Sequence, residues 1–215
     1  VKYLQVTEWY IVGSMTLSSA WVAVLAAFFL TWIVLWKLYD KQMREILVDV
    51  AFTFIIVWKL SVILTDFSMV IKFPLSILYF NGGKTGVILG TLFASFKLYV
   101  SLKKRNFLLQ DIQAVLVGYI SIQTSYQILQ VLLNEGLWWQ EAITTISFSI
   151  YVVFVSFCLP KMEKVNQFIS IAFVFMHIIV AVLQPNGFFQ TPLFVTVFFA
   201  FFINFLLYKS ERLKK

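Results

Sequence analysis

The chain has 215 residues, 61% hydrophobic and only 13% charged, with a formal net charge of +7. Soluble chains are usually about 45–50% apolar and about 25% charged, so composition excludes a water-soluble globule and predicts a polytopic membrane protein. The single cysteine, Cys158, excludes an internal disulfide and a CxxC redox pair.

A spanning helix takes about 20 apolar residues. Seven runs reach or approach that length: 17–36, 46–65, 86–102, 112–133, 142–160, 167–183 and 193–208. The first lacks a short basic head and runs into "WKLYDKQMR" where a signal peptide would have a small-residue cleavage site, so it reads as a retained span. The second carries Lys59. A charge at depth costs roughly 2.5–3.5 kcal/mol on insertion scales, and helix side chains lean toward the N-terminus, which turns Lys59 away from the near surface. Two readings follow: a cation meeting an anionic lipid head group or substrate, or a buried structural contact or neutral lysine.

The next connection ends in Asn81, Gly82 and Gly83, residues that supply the positive φ of a tight turn. Gly86, Gly90 and Ala94 then recur at four-residue spacing, the small-residue pattern that lets helices approach closely. Lys97, near the basic end of this third span, reads as a snorkelling side chain. The fourth span is the most polar. Tyr119, Gln123, Gln127, Gln130 and Asn134 fall on one helical stripe, with Tyr126 beside it. Glutamines do not titrate, so the stripe is either a hydrogen-bonding surface for a polar head group or glue between helices.

In the fifth span Cys158 reads as a small inert hydrophobe. His177, the single histidine, is central in the sixth span with no Cys, Asp, Glu or second His nearby. A metal site there lacks ligands, and a neutral imidazole bonded to another helix is expected in preference to a catalytic base. The last span, "LFVTVFFAFFINFLLY", is apolar all round apart from Asn204 and reads as lipid-facing. No P-loop, no Ser/His/Asp set, no metal site and no cofactor is read.

Basic residues set the orientation. Lys37, Lys41, Arg44, Lys103, Lys104, Arg105, Lys161, Lys164, Lys209, Arg212, Lys214 and Lys215 fall in alternate connections and the C-terminal tail, against Lys2, Lys72 and Lys84 on the other side. The N-terminus is expected outside and the C-terminus in the cytoplasm. The positive charge then faces anionic lipid, and nucleic acid is not a partner. Trp9, Trp138 and Trp139 at outer boundaries and Trp36 at an inner one agree with this.

Several stretches, in order, resemble the prolipoprotein diacylglyceryl transferase family. They are "YIVGSMTLSSAWVAVL", "WKLSVIL", "PLSILYFNGGKTGVILG", "KKRNFLLQDIQAVL" and "LLNEGLW". The resemblance implies seven spans in the same orientation and a phospholipid ligand of the phosphatidylglycerol kind, with a lipoprotein or another membrane protein as partner. It places Lys59 where the family has an arginine, and it makes Gly82, Gly83, Gly86 and Gly90 retained scaffold. The family's third-span histidine has no counterpart here, glutamines stand in the region of its fourth-span arginine, and only Asn134, Glu135 and Gly136 match the end of its signature.

The expected fold is therefore all-α, one membrane domain over residues 1–215. The expected function is phospholipid or lipidated-protein binding in an outward-facing polar cavity shared by Lys59 and the glutamine stripe. The catalytic residues are unassigned. The alternatives are an active diacylglyceryl transferase with altered residues and a non-catalytic membrane partner or transport component.

Overall fold

The computed structural model describes residues 8–12, 15–158, 162–184 and 187–213. Lys2, Lys161, Lys214, Lys215 and the Lys164 side chain, together with the last two residues of the fifth predicted span, lie outside the described residues. Among the described residues, seven helices are long and apolar enough to cross a membrane, and the architecture is that of a multi-pass membrane protein.

A two-stranded hairpin, β1 (Trp9–Val12) and β2 (Met15–Ser18), precedes the first span and was not expected from the sequence. Ser18 then caps α1 (Ser19–Leu38), its side chain accepting the Trp21 N–H. Asp40 does the same for α2 (Lys41–Leu60), accepting from Met43. These capping oxygens satisfy N–H groups that a helix start leaves orphaned, and they fix a short turn between the two spans. The second span continues past Ser61 through α3 (Val62–Thr65). The following segment, read from sequence as a plain connection, instead forms α4 (Phe67–Lys72) and α5 (Ser76–Tyr79). The remaining spans are α6 (Gly83–Lys104), α7 (Leu109–Leu132), α8 (Trp138–Cys158), α9 (Met162–Leu183) and α10 (Thr191–Leu213), with a 3-10 turn at Gly187–Phe189.

Helix pairing follows small residues. α1 buries Ser19, Ala23, Ala27, Thr31 and Leu35, one residue every four, and packs along α7. α2 packs along α6, where Gly86 and Gly90 lie against Trp58 and Phe54. A Cβ on Gly86 would stand 2.8 Å from Trp58 Cδ1 and 2.9 Å from the Trp58 carbonyl oxygen, so only glycine permits this approach. The expected tight turn is present: Gly83 has φ +53° and donates its N–H to Asn81 Oδ1 at 2.8 Å, while Gly82 donates to the Trp58 carbonyl. α7 also packs on α8, α9 and α10, and carries the apolar core with Ile112, Leu116 and Ile120 against Phe148 and Phe173.

The described basic connections and the end of α10 share one end of the bundle, because the spans alternate in direction. There Arg105 donates to both carboxylate oxygens of Asp111, Nε to Oδ2 at 2.5 Å and Nη2 to Oδ1 at 3.0 Å. That hydrogen bonding, followed by the charges of Asp111 and Asp40, holds the Arg105 guanidinium pKa above its ordinary value. The expectation for Lys97 is corrected. Its Nζ lies 2.7 Å from Asp49 Oδ1 and donates to Thr53 Oγ1, so it bridges to α2 instead of snorkelling to the surface.

Candidate functional site

The α1–α7 pair and the α2–α6 pair diverge from each other and leave a cleft of about 860 Å³, bounded on a further side by α10. Its walls are mostly aliphatic and aromatic. Leu35, Leu47, Leu98 and Val115 line the end nearer the basic connections, and Gly83, Lys84, Tyr126 and Thr191 line the opposite end. Along α1 the lining runs from Ala20 to Leu35. At about 1.5 Å rise per residue this is roughly 22 Å, more than the roughly 15 Å depth of one leaflet's hydrocarbon. Phe54 and Trp58, 6.0 Å apart, line the α2 wall, and Trp21, off the wall, backs Trp58 in a stack with centroids 4.6 Å apart.

The polar stripe of α7 divides between two environments. Tyr119, Gln123 and Tyr126 line the cleft, whereas Gln127, Gln130 and Asn134 are absent from its walls. Tyr119 and Gln123 also bond to α10. The Tyr119 hydroxyl donates to the Thr196 carbonyl at 2.8 Å, and the Gln123 amide donates to Pro192 O and Thr196 Oγ1, both at 2.8 Å. Gln127 Nε2 lies 2.9 Å from His177 Nε2, and His177 Nδ1 lies 2.7 Å from Thr196 Oγ1. Thr196 in turn donates to Pro192 O at 3.0 Å.

One assignment of protons satisfies the whole set. With the Gln127 amide donating to Nε2, the imidazole is neutral and carries its proton on Nδ1, which donates to Thr196. An imidazolium would set an N–H donor against the Gln127 amide. The histidine is thus bonded to two other helices, in line with the structural reading of it. Gln123, Gln127, His177 and Thr196 are all buried, and the network joins α7, α9 and α10 where hydrocarbon offers polar groups no other partner.

The expectation that Lys59 and the glutamines share one polar cavity is therefore corrected. Lys59 is not on the cleft wall; its Nζ lies over the Trp21 ring, 4.7 Å from the centroid. The cation is attracted by the quadrupole of the indole face, which ties α2 to α1 beside the Trp21–Trp58 stack. Asn134 closes a different contact, accepting from Ser19 Oγ at 2.6 Å and donating to the Gln130 carbonyl at 2.7 Å. The cleft is mostly apolar, with Gln123, Tyr126, Thr191 and Lys84 toward one end and the hydroxyls of Thr91 and Thr31 farther along it.

Lys84 is the cleft's cationic residue, which the sequence marked only as one of three basic residues on the outer side. It is exposed, one residue beyond the Gly83 turn, and has no carboxylate partner among the described residues. A signal for it existed: a lysine directly after a glycine turn at the start of a span sits where a head group would be. Among the described residues the walls carry no carboxylate, histidine or cysteine, so the cleft supplies apolar contact, hydroxyl and amide groups and one ammonium. Compared with family models, curated proteins and solved structures, the chain matches none of them.

Proposed function

We propose that this protein binds a phospholipid, with an acyl chain along the cleft and the head group at Lys84. The observation that carries this reading is the cleft's charge placement: mostly apolar walls over more than a leaflet's depth, with Lys84, the one charged lining residue among those described, at one end beside Tyr126. Apolar burial supplies roughly 0.8 kcal/mol per methylene, and Lys84 selects an anionic phosphate. On this reading the protein sits in a bacterial plasma membrane with Lys84 outside and the basic clusters in the cytoplasm. The chain resembles prolipoprotein diacylglyceryl transferases, and phosphatidylglycerol or the lipid of a lipoprotein fits the same cleft.

Orientation has its own check. In a Cys158→Ala background, Lys84→Cys should react with a membrane-impermeant maleimide in intact cells, and Arg212→Cys should not. Labelling of Arg212→Cys alone would invert the assignment.

The binding test is native mass spectrometry of protein released from nanodiscs of mixed phosphatidylethanolamine and phosphatidylglycerol. Wild type should retain phospholipid, enriched in the anionic species. Val87→Trp, which fills the cleft, should lose it, and Lys84→Gln should keep lipid but lose the enrichment. Equal retention by wild type and Val87→Trp would sink the reading. A second reading, diacylglyceryl transfer in the same cleft, is favoured by one observation: the Gly82–Gly83–Lys84 turn, which carries part of the family resemblance, stands at its mouth. Release of glycerol phosphate from bound phosphatidylglycerol on adding a cysteine-bearing lipoprotein signal peptide would decide for that reading.

A further inference from the structure

The segment between α2 and α6 exposes apolar residues that no part of the described protein covers. None of the six residues of α4 is buried. Leu64 is 74% exposed, Phe67 61%, Ile71 63%, Phe73 68% and Leu75 72%. Phe67 and Ile71, four apart, share one face of α4, while Met69 and Val70 are half-buried. None of the short helices can span a bilayer, because a crossing takes about 20 residues and α3, α4 and α5 have four, six and four.

We infer that this excursion is an in-plane anchor, with α4 lying in the head-group and acyl boundary of the leaflet at the Lys84 end. Three observations select lipid as the occupant. The apolar face is continuous with the lipid-facing belt of the flanking spans, through Ile56 and Leu60 on α2 and Ile88 on α6, each about half exposed. Its composition is interfacial: phenylalanines with Tyr79 alongside, and Asp66 and Lys72 at the two ends of α4. Its level is set by chain connection, since the excursion leaves from the end of one span and returns at the start of the next. The excursion enters α6 at Gly83, so the anchor fixes the height of the cleft mouth relative to the head groups. This inference rests on the multi-pass architecture and not on a lipid occupying the cleft.

The test uses the full chain in lipid nanodiscs. Single cysteines replace Phe67, Ile71, Ser68 or Phe201 in a Cys158→Ser background and carry a bimane label. Phospholipids brominated near the head group or near the chain terminus serve as quenchers, with iodide in the water. Labels at 67 and 71 should emit to the blue of the Ser68 label and be quenched several-fold more by shallow bromines than by deep ones. The Ser68 label should respond to iodide, and Phe201, 75% exposed on α10, reports a lipid-facing span site. Iodide quenching at 67 and 71 equal to that at 68 would overturn the inference, as would bromine-insensitive blue emission, which means a protein partner covers the face. Retention of the anchor pattern in Val87→Trp would separate this result from the fate of the cleft reading.

Discussion

Gly86→Leu is expected to separate α2 from α6. Even the first carbon added meets the Trp58 ring at 2.8 Å and the Trp58 backbone oxygen at 2.9 Å, with Ser61 Oγ closer still. The ring is held by its stack on Trp21, and the carbonyl oxygen is part of a helix, so neither yields cheaply. Overpacking of a tight core costs typically about 1–3 kcal/mol, occasionally more. A leucine at this seam should reach the upper part of that range, lowering the thermal midpoint in detergent by about 6–12 °C at ~2–4 °C per kcal/mol. The matched control is Gly118→Ala on α7, where the new Cβ would meet Leu35 Cδ1 at an ordinary 3.6 Å. Gly118→Ala should leave the midpoint within about 1 °C, an effect of a few tenths of a kcal/mol. Equal effects at the two glycines would show that the α2–α6 seam is not set by this contact.

Arg105→Ala is expected to be comparably damaging for an electrostatic reason. Asp111 is a buried acid, with a side chain 5% exposed, and Arg105 is its forked partner. Removing Arg105 leaves the buried Asp111 carboxylate without its forked donor, at a cost of about 1–3 kcal/mol for an unsatisfied buried group. Replacing both is much milder: the Arg105→Met, Asp111→Leu double variant should recover more than half of the loss. The double-mutant cycle in detergent measures this, and strict additivity of the two single changes would refute the coupling. The pair also restrains a strained turn. Asn106 and Phe107 have φ of +53° and +49°, and Phe107 is held there by burial against Tyr99. Left-handed φ is uncommon in residues other than glycine, least so in asparagine.

The spans were legible because hydrocarbon thickness imposes a length on every one of them. All seven predicted runs overlap the observed helices, which extend a few residues further into polar flanks such as "KQMRE" and "YKSER". The glycine contact of α6 was legible too, since Gly86, Gly90 and Ala94 need only one helix to define a face. The corresponding stripe on α1, Ser19–Ala23–Ala27–Thr31, carried the same signal and pairs with α7. Partner choice was not legible. Lys97 and Asp49 lie on different helices, and nothing local to either marks the other. The glutamine stripe read as a cavity lining because its partners, His177 and Thr196, come from spans well downstream. The cleft itself leaves no mark at any single position. It is the space between two helix pairs that diverge, and divergence belongs to the packing as a whole.

The connectivity of those pairs has a mechanical consequence. α1 and α2 are joined at Tyr39–Asp40, and α6 and α7 at Arg105–Leu108, while the side-by-side contacts run α1 to α7 and α2 to α6. Both joints lie at the basic end, and Asp40 of one contributes to the electrostatic field on Arg105 of the other. The four helices thus form a frame fastened at both ends: two chain joints on the basic side and, at the other, the Trp21–Trp58 stack that clasps α1 to α2. Along its α1–α2 side the cleft therefore keeps its width by a covalent joint at one end and ring stacking at the other.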